Sequence, residues 1–146
     1  NSRVAPLARA IVEHRIEELR PVVLTYLSEK KVQFDSGKLD QSSAATFAPL
    51  FTGQQNIMSA LARVRLFVRE EHPCYTREGA SFDGTSEGKG GSRICMSAQS
   101  ISMKVDYSEV DLQTSALMVH EFSEIAGATD EQAIAIQIAV LKDLNN

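Results

Sequence analysis

A helix that is apolar on nearly every side constrains a fold more than any other local feature, and the run from Leu112 to Ala126 is such a helix. With His120 set at zero on a wheel of about 100° per residue, Gln113 falls near about 20°, Glu124 near about 40° and Glu121 near about 100°. Met118, Val119, Phe122, Leu112 and Ala116 take most of the remaining circumference, so other elements must cover this helix except along one polar stripe. Its start is expected between Asp106 and Thr114 and its end at Ala126, with Gly127 at the position after the C-cap. A last helix should begin at Thr129, with Gln132 as capping-box partner, and run through Ile134, Ile138 and Leu141. An imidazole buried beside two carboxylates is costly unless a metal ion, an Arg or Lys, or neutral hydrogen-bond partners compensate it.

At 146 residues and 43% hydrophobic content, the chain suits one core and one domain. From Val4 to Lys30, apolar residues recur at helical spacing (Leu7, Ile11, Ile16, Leu19, Val22, Val23, Tyr26, Leu27), with a break expected just before Pro21. Val32-Gln33-Phe34 reads as a short strand, Ser36-Gly37 as a turn, and Ala44 to Phe51 as a short helix. Gln54 to Glu71 reads as a helix with Ile57, Leu61, Val64, Phe67 and Val68 on one side, ended by His72-Pro73. Within 74–104, Ser92 to Ser97 has strand character, and Gly84 to Ser92 reads as a mobile loop. The fold class that results is α+β, mainly helical, with a small β-hairpin or sheet beside the buried motif helix. Its parts are N-terminal helices over 3–72, a β/loop region over 74–104, and the motif and C-terminal helices over 108–146.

Composition excludes several functions. A net charge of -4 leaves no basic field for a phosphate backbone, so nucleic acid is not an expected partner. Arg63, Arg65 and Arg69 fit a solvated helix face. No apolar run reaches the roughly 18 to 20 residues of a membrane span. The start at Asn1-Ser2-Arg3 suits a processed chain, and the expected location is secreted or periplasmic with an export signal removed. Cys74 and Cys95 flank a glycine-rich stretch, which favours a disulfide over two free thiols. Without further cysteines a thiolate zinc site is not expected. Neither a GxSxG nor a Cys/His/Asn set is present, and Gly88-Lys89-Gly90-Gly91 lacks the strand and helix of a phosphate loop, leaving Lys89 solvated. His14 fits an exposed helix face and His72 a helix end; neither is expected to join a metal site.

The run His120-Glu121-x-x-Glu124-x-x-Gly127-x-x-Asp130 resembles the HExxHxxGxxH/D signature of the metzincin-like zinc peptidases, including the snapalysin-type variant that ends in Asp. The similarity extends from about Arg93 to Asp130, because a strand at Ile94 to Ser97 precedes the apolar helix, and zincins lay an edge strand beside the active-site helix. The resemblance implies a zincin-like fold holding zinc, with His120, Glu124 and Asp130 as ligands and Glu121 as the base acting on metal-bound water. It implies hydrolysis of peptide-like bonds in a peptide or protein substrate. Glu124 departs from the pattern by standing where the second His belongs. A carboxylate one turn on can ligate, but one neutral His with two carboxylates nearly neutralises the ion and weakens it as a Lewis acid. The competing reading is a non-catalytic binding or structural module. There Gly127 is a C-cap, Asp130 and Glu131 are first-turn acids, and His120 pairs with Glu124.

Overall fold

The computed structural model describes residues 4–145, the side chains of 4–8 and 107 excepted, so Asn1-Ser2-Arg3 and the Leu7 side chain lie outside it. One long helix, α1 (Val4–Asp35), carries a buried stripe of Val12, Ile16, Leu19, Val23 and Leu27. It does not break at Pro21. Pro21 removes one backbone hydrogen bond, a loss of roughly 3 kcal/mol in an isolated helix. The ring sits on the exposed side, while the buried stripe continues unbroken on both sides of it and holds the helix to the core. Nor is Val32-Gln33-Phe34 a strand: it forms the last turns of α1, where Phe34 meets Phe51 at 5.5 Å between ring centroids. The turn at Ser36-Gly37 is present, with Gly37 at a φ of 71°.

Helix α2 (Gln41–Phe51) is capped by Asp40, whose carboxylate accepts from the Ser43 amide, and it buries Phe47, Leu50 and Phe51. The helix expected over Gln54 to Glu71 is much shorter. Only α3 (Ile57–Ala62) is helical, and Arg65–Arg69 forms strand β1. Two things end α3. The guanidinium of Arg20 donates to the carbonyls of Ala62 and Val64, taking acceptors that a longer helix would use, and Arg65–Arg69 has a two-residue alternation of exposure that suits a sheet. Arg65 and Arg69 therefore stand on a sheet face and not on a helix face. His72 follows β1 instead of ending a helix, and its carbonyl accepts from the Ser97 hydroxyl at 2.7 Å.

Strands β2 (Cys74–Tyr75) and β3 (Ser81–Phe82) pair antiparallel. The stretch read as a mobile loop contains β4 (Gly84–Ser86), which pairs antiparallel with β5 (Arg93–Ser97), while β1 pairs with β5 in parallel. The resulting three-stranded sheet has the order β1-β5-β4. Ile94 and Met96 enter the core from one side of β5, and Arg93 stays exposed on the other. The disulfide Cys74–Cys95 ties the β2–β3 hairpin to the central strand. Ala98–Lys104, expected in the β/loop region, is instead helix α4, capped by the Ser97 hydroxyl.

The motif helix is α5 (Val110–Ile125), followed by α6 (Asp130–Leu144). α5 packs against α6, α1 and β4, and Met118 and Phe122 are fully buried. Gly127, at a φ of 109°, reverses the chain after α5, and Thr129 and Gln132 form the expected capping box of α6. The molecule is thus mainly helical α+β, with a small mixed sheet. No described helix is long and apolar enough to cross a membrane.

Truncating Phe122 to Ala should destabilise the protein by about 3 to 5 kcal/mol, the range for emptying a buried aromatic site, as read by urea unfolding. A loss below about 1 kcal/mol would place Phe122 in a surface environment. Because the Cys74–Cys95 bond spans 21 residues, its reduction should remove about 3 kcal/mol and lower the melting temperature. The denatured, unreduced protein should titrate no thiols.

Candidate metal centre

Helix periodicity sets His120 and Glu124 one turn apart on α5, and the Gly127 turn brings Asp130, the first residue of α6, back onto the same spot. One ligand atom from each of the three residues lies within 4.8 Å of the others. His120 Nε2 is 3.5 Å from Glu124 Oε1 and 3.3 Å from Asp130 Oδ1. A tetrahedral ion with bonds of roughly 2.0 to 2.2 Å sets its ligands about 3.3 to 3.6 Å apart, so both distances match tetrahedron edges. The donor set of one imidazole and two carboxylates can hold a divalent cation and would neutralise its charge. The His120 side chain is 12% exposed and that of Asp130 is 72% exposed, so the group opens to solvent on the α6 side.

His120 has a second partner that sequence reasoning missed. Its Nδ1 donates to Gln137 Oε1 at 2.8 Å. An amide oxygen only accepts, so this bond requires a proton on Nδ1 and turns Nε2 toward the two carboxylates. Gln137 lies on the next helix, two turns beyond Asp130, and no motif spacing marks it. Tertiary packing of α5 against α6 alone brings it to His120.

Glu121 is 2% exposed and lines the same cavity as the three candidate ligands. Burial, joined by a hydrogen bond and repulsion from Glu124 and by repulsion from Asp130, pushes its pKa well above the usual carboxyl range. The protonated carboxyl is therefore the favoured form at neutral pH while no cation offsets its neighbours. Gly84 of β4 lies directly on this side chain. A Cβ there would stand 3.4 Å from Glu121 Cγ and 3.3 Å from the Cys95 carbonyl oxygen, so a glycine allows the strand its close approach.

The cavity measures about 400 Å³. Its other walls are Phe82, Leu117 and Ile134, which are apolar, the polar edge Gly84–Ser86, and the pair Lys104–Asp83, joined at 2.7 Å. The edge strand beside the motif helix is thus β4; β5, expected in that place, is the central strand. Neither His14 nor His72 joins the group. The former pairs with Glu18 on α1 at 2.6 Å, and the latter follows β1. Comparisons with family models, with curated proteins and with solved structures find no match to this chain.

Gln137→Ala should leave the fold intact and weaken zinc binding by about 10- to 100-fold, the usual effect of removing a ligand's hydrogen-bond partner. Calorimetric titration of zinc into both proteins checks this. Equal affinities would mean that Gln137 does not orient His120.

Proposed function

We propose that the chain is a zinc-dependent hydrolase of peptide-like bonds, secreted or periplasmic, with His120, Glu124 and Asp130 as zinc ligands and Glu121 as its proton-transfer residue. The observation that carries this reading is the convergence of the three donors within 4.8 Å of one another, both carboxylates at 3.3 to 3.5 Å from an imidazole whose far nitrogen is already engaged by Gln137. A divalent ion held there would supply a Lewis acid that polarises a carbonyl and acidifies a water. With a cation offsetting the charge of its neighbours, Glu121, on the same cavity wall, would accept a proton from the attacking water and return it to the leaving amine. Phe82, Leu117 and Ile134 favour a substrate with an apolar side chain beside the bond to be cut. The disulfide supports an oxidising compartment, and with it the proposed location.

A second reading has its own support. Glu124 and Asp130 already stand within ion-pair distance of His120, so a protonated imidazole can close the group without any cation, as in a binding or structural module. Zinc uptake separates the two. After dialysis against a chelator, the wild-type chain should take up one zinc ion, His120→Ala should take up none, and Glu121→Gln should keep the metal while losing all hydrolysis of fluorogenic peptides. Glu124→His should bind zinc more tightly and raise activity, because a neutral ligand leaves the ion more electrophilic. A wild-type protein that takes up no zinc sinks the hydrolase. An unfolded Glu124→His variant, or one of unchanged affinity, assigns Glu124 to a structural partnership.

A further inference from the structure

The face of the sheet turned away from the helices concentrates positive charge in an acidic protein. Along β1, Arg65, Phe67 and Arg69 all point to this side and are exposed. In the parallel pairing with β5, Arg65 stands directly opposite Arg93, and that residue is exposed as well. Two arginines facing each other across neighbouring strands, about 4.8 Å apart at the backbone, repel one another. Among the described residues, Arg65, Arg69, Arg77 and Arg93 take part in no ion pair within 4 Å. Three of the four have aromatic partners instead. Arg65 and Arg93 flank the Phe67 ring at 5.9 and 5.5 Å from its centroid, and Arg69 lies 5.9 Å from the Tyr75 ring. A shallow cavity of about 960 Å³ is lined by Phe67, Arg69, Tyr75, Arg77 and Arg93, with Glu78 and Glu87 also on its wall. Glu87 accepts from the Ser92 amide at 2.8 Å and the Ser92 hydroxyl at 3.2 Å, and these bonds together with the nearby Arg93 charge hold its carboxyl below the usual range.

We propose that this face binds an extended acidic polypeptide segment, with side-chain carboxylates seated on the arginines and an apolar side chain resting on Phe67. The forked guanidinium matches a planar carboxylate, and an anion between Arg65 and Arg93 replaces their repulsion with two attractions. Spacing points to a polypeptide. Same-side residues of a strand recur at about 6.6 Å, so Arg65, Phe67 and Arg69 match an acidic, apolar, acidic series at every second residue of an extended peptide. A polynucleotide would bring a phosphate at every step, including over the Phe67 ring. The net charge of -4 and the two glutamates on the cavity wall also oppose so dense a polyanion. This cavity shares Thr76, Thr85 and Ser86 with the one that holds His120, so the two adjoin across strand β4 and the hairpin loop. Binding at the arginine face itself does not require a metal.

The test uses the full chain with chelator present, so that it stands apart from the zinc reading. Fluorescence anisotropy would follow a labelled peptide containing Glu-Ser-Leu-Ser-Glu, its counterpart with Gln for both Glu, and a single-stranded oligonucleotide of equal charge. The Glu peptide should bind, the Gln peptide should bind at least about tenfold more weakly, and the affinity should fall as salt rises. The double variant Arg65→Ala/Arg93→Ala should weaken the Glu peptide by about tenfold without lowering the melting temperature, since it removes a repulsive pair. Should that variant fail to fold, Arg69→Gln/Arg77→Gln, at the end of β1 and in the hairpin loop, should give the same weakening. Equal affinity for the Glu and Gln peptides, absence of binding, or full retention in a folded variant would overturn the proposal. Tighter binding of the oligonucleotide would overturn it too, and would reassign the face to nucleic acid.

Discussion

The burial of α5 is the constraint on which the rest of the structure depends. Ten of its sixteen residues are buried, around about two thirds of the helix circumference, so α1, α6 and the sheet must pack around it together. A helix enclosed in this way can reach solvent only where its neighbours leave a gap. That gap is the cavity between β4 and the start of α6, and the residues of α5 that line it are Leu117, His120, Glu121 and Glu124. The enclosure also makes the positions of these side chains firm. The His120 ring is held between α5 and α6 by Gln137, and Glu121 is pressed under the backbone of β4 at Gly84.

Charge is divided between the two faces of the sheet. On the helix side, Glu121, Glu124 and Asp130 share one cavity, and Lys104, the lysine on its wall, is tied to Asp83 at 2.7 Å. On the far side, arginines face one another and stack on Phe67 and Tyr75. Each group is self-repelling, and the two are kept apart by a single layer of strands, so neither neutralises the other directly. Such an arrangement reduces the stability of the free protein and favours ligands of opposite sign on each face, a cation among the carboxylates and carboxylates among the arginines.

The disulfide has a part in both faces. Cys74 is fully buried, and the bond to Cys95 holds the β2–β3 hairpin against the central strand. That hairpin supplies Phe82 and Ser81 to one cavity and Tyr75 to the other, with Thr76 on the wall of both. Two-residue strands cannot hold this position by their own hydrogen bonds, since an isolated hairpin is at best marginally stable in water. The covalent link supplies what so short a ladder lacks.

Sequence by itself determined what depends on neighbours within a turn or two. The extent of α5, the Gly127 reversal, the capping box of Thr129 and Gln132, and the β5 strand could all be read from it, because caps, turns and periodicity act over a few residues. The pairing of His120 with Glu124 was legible for the same reason, being one helical turn, whereas Asp130 was joined to them only through the resemblance to the zincin signature. Tertiary structure decided the rest. It carried α1 through Pro21, because a buried stripe on either side outweighs one lost hydrogen bond. The residues around Phe67 became a strand, because Arg20 on a distant helix ends α3 and β5 offers a partner edge. Gln137 beside His120, Gly84 over Glu121 and Arg93 opposite Arg65 are contacts between separate elements. Their cause is the packing of surfaces far apart in the chain, which leaves no local pattern to read.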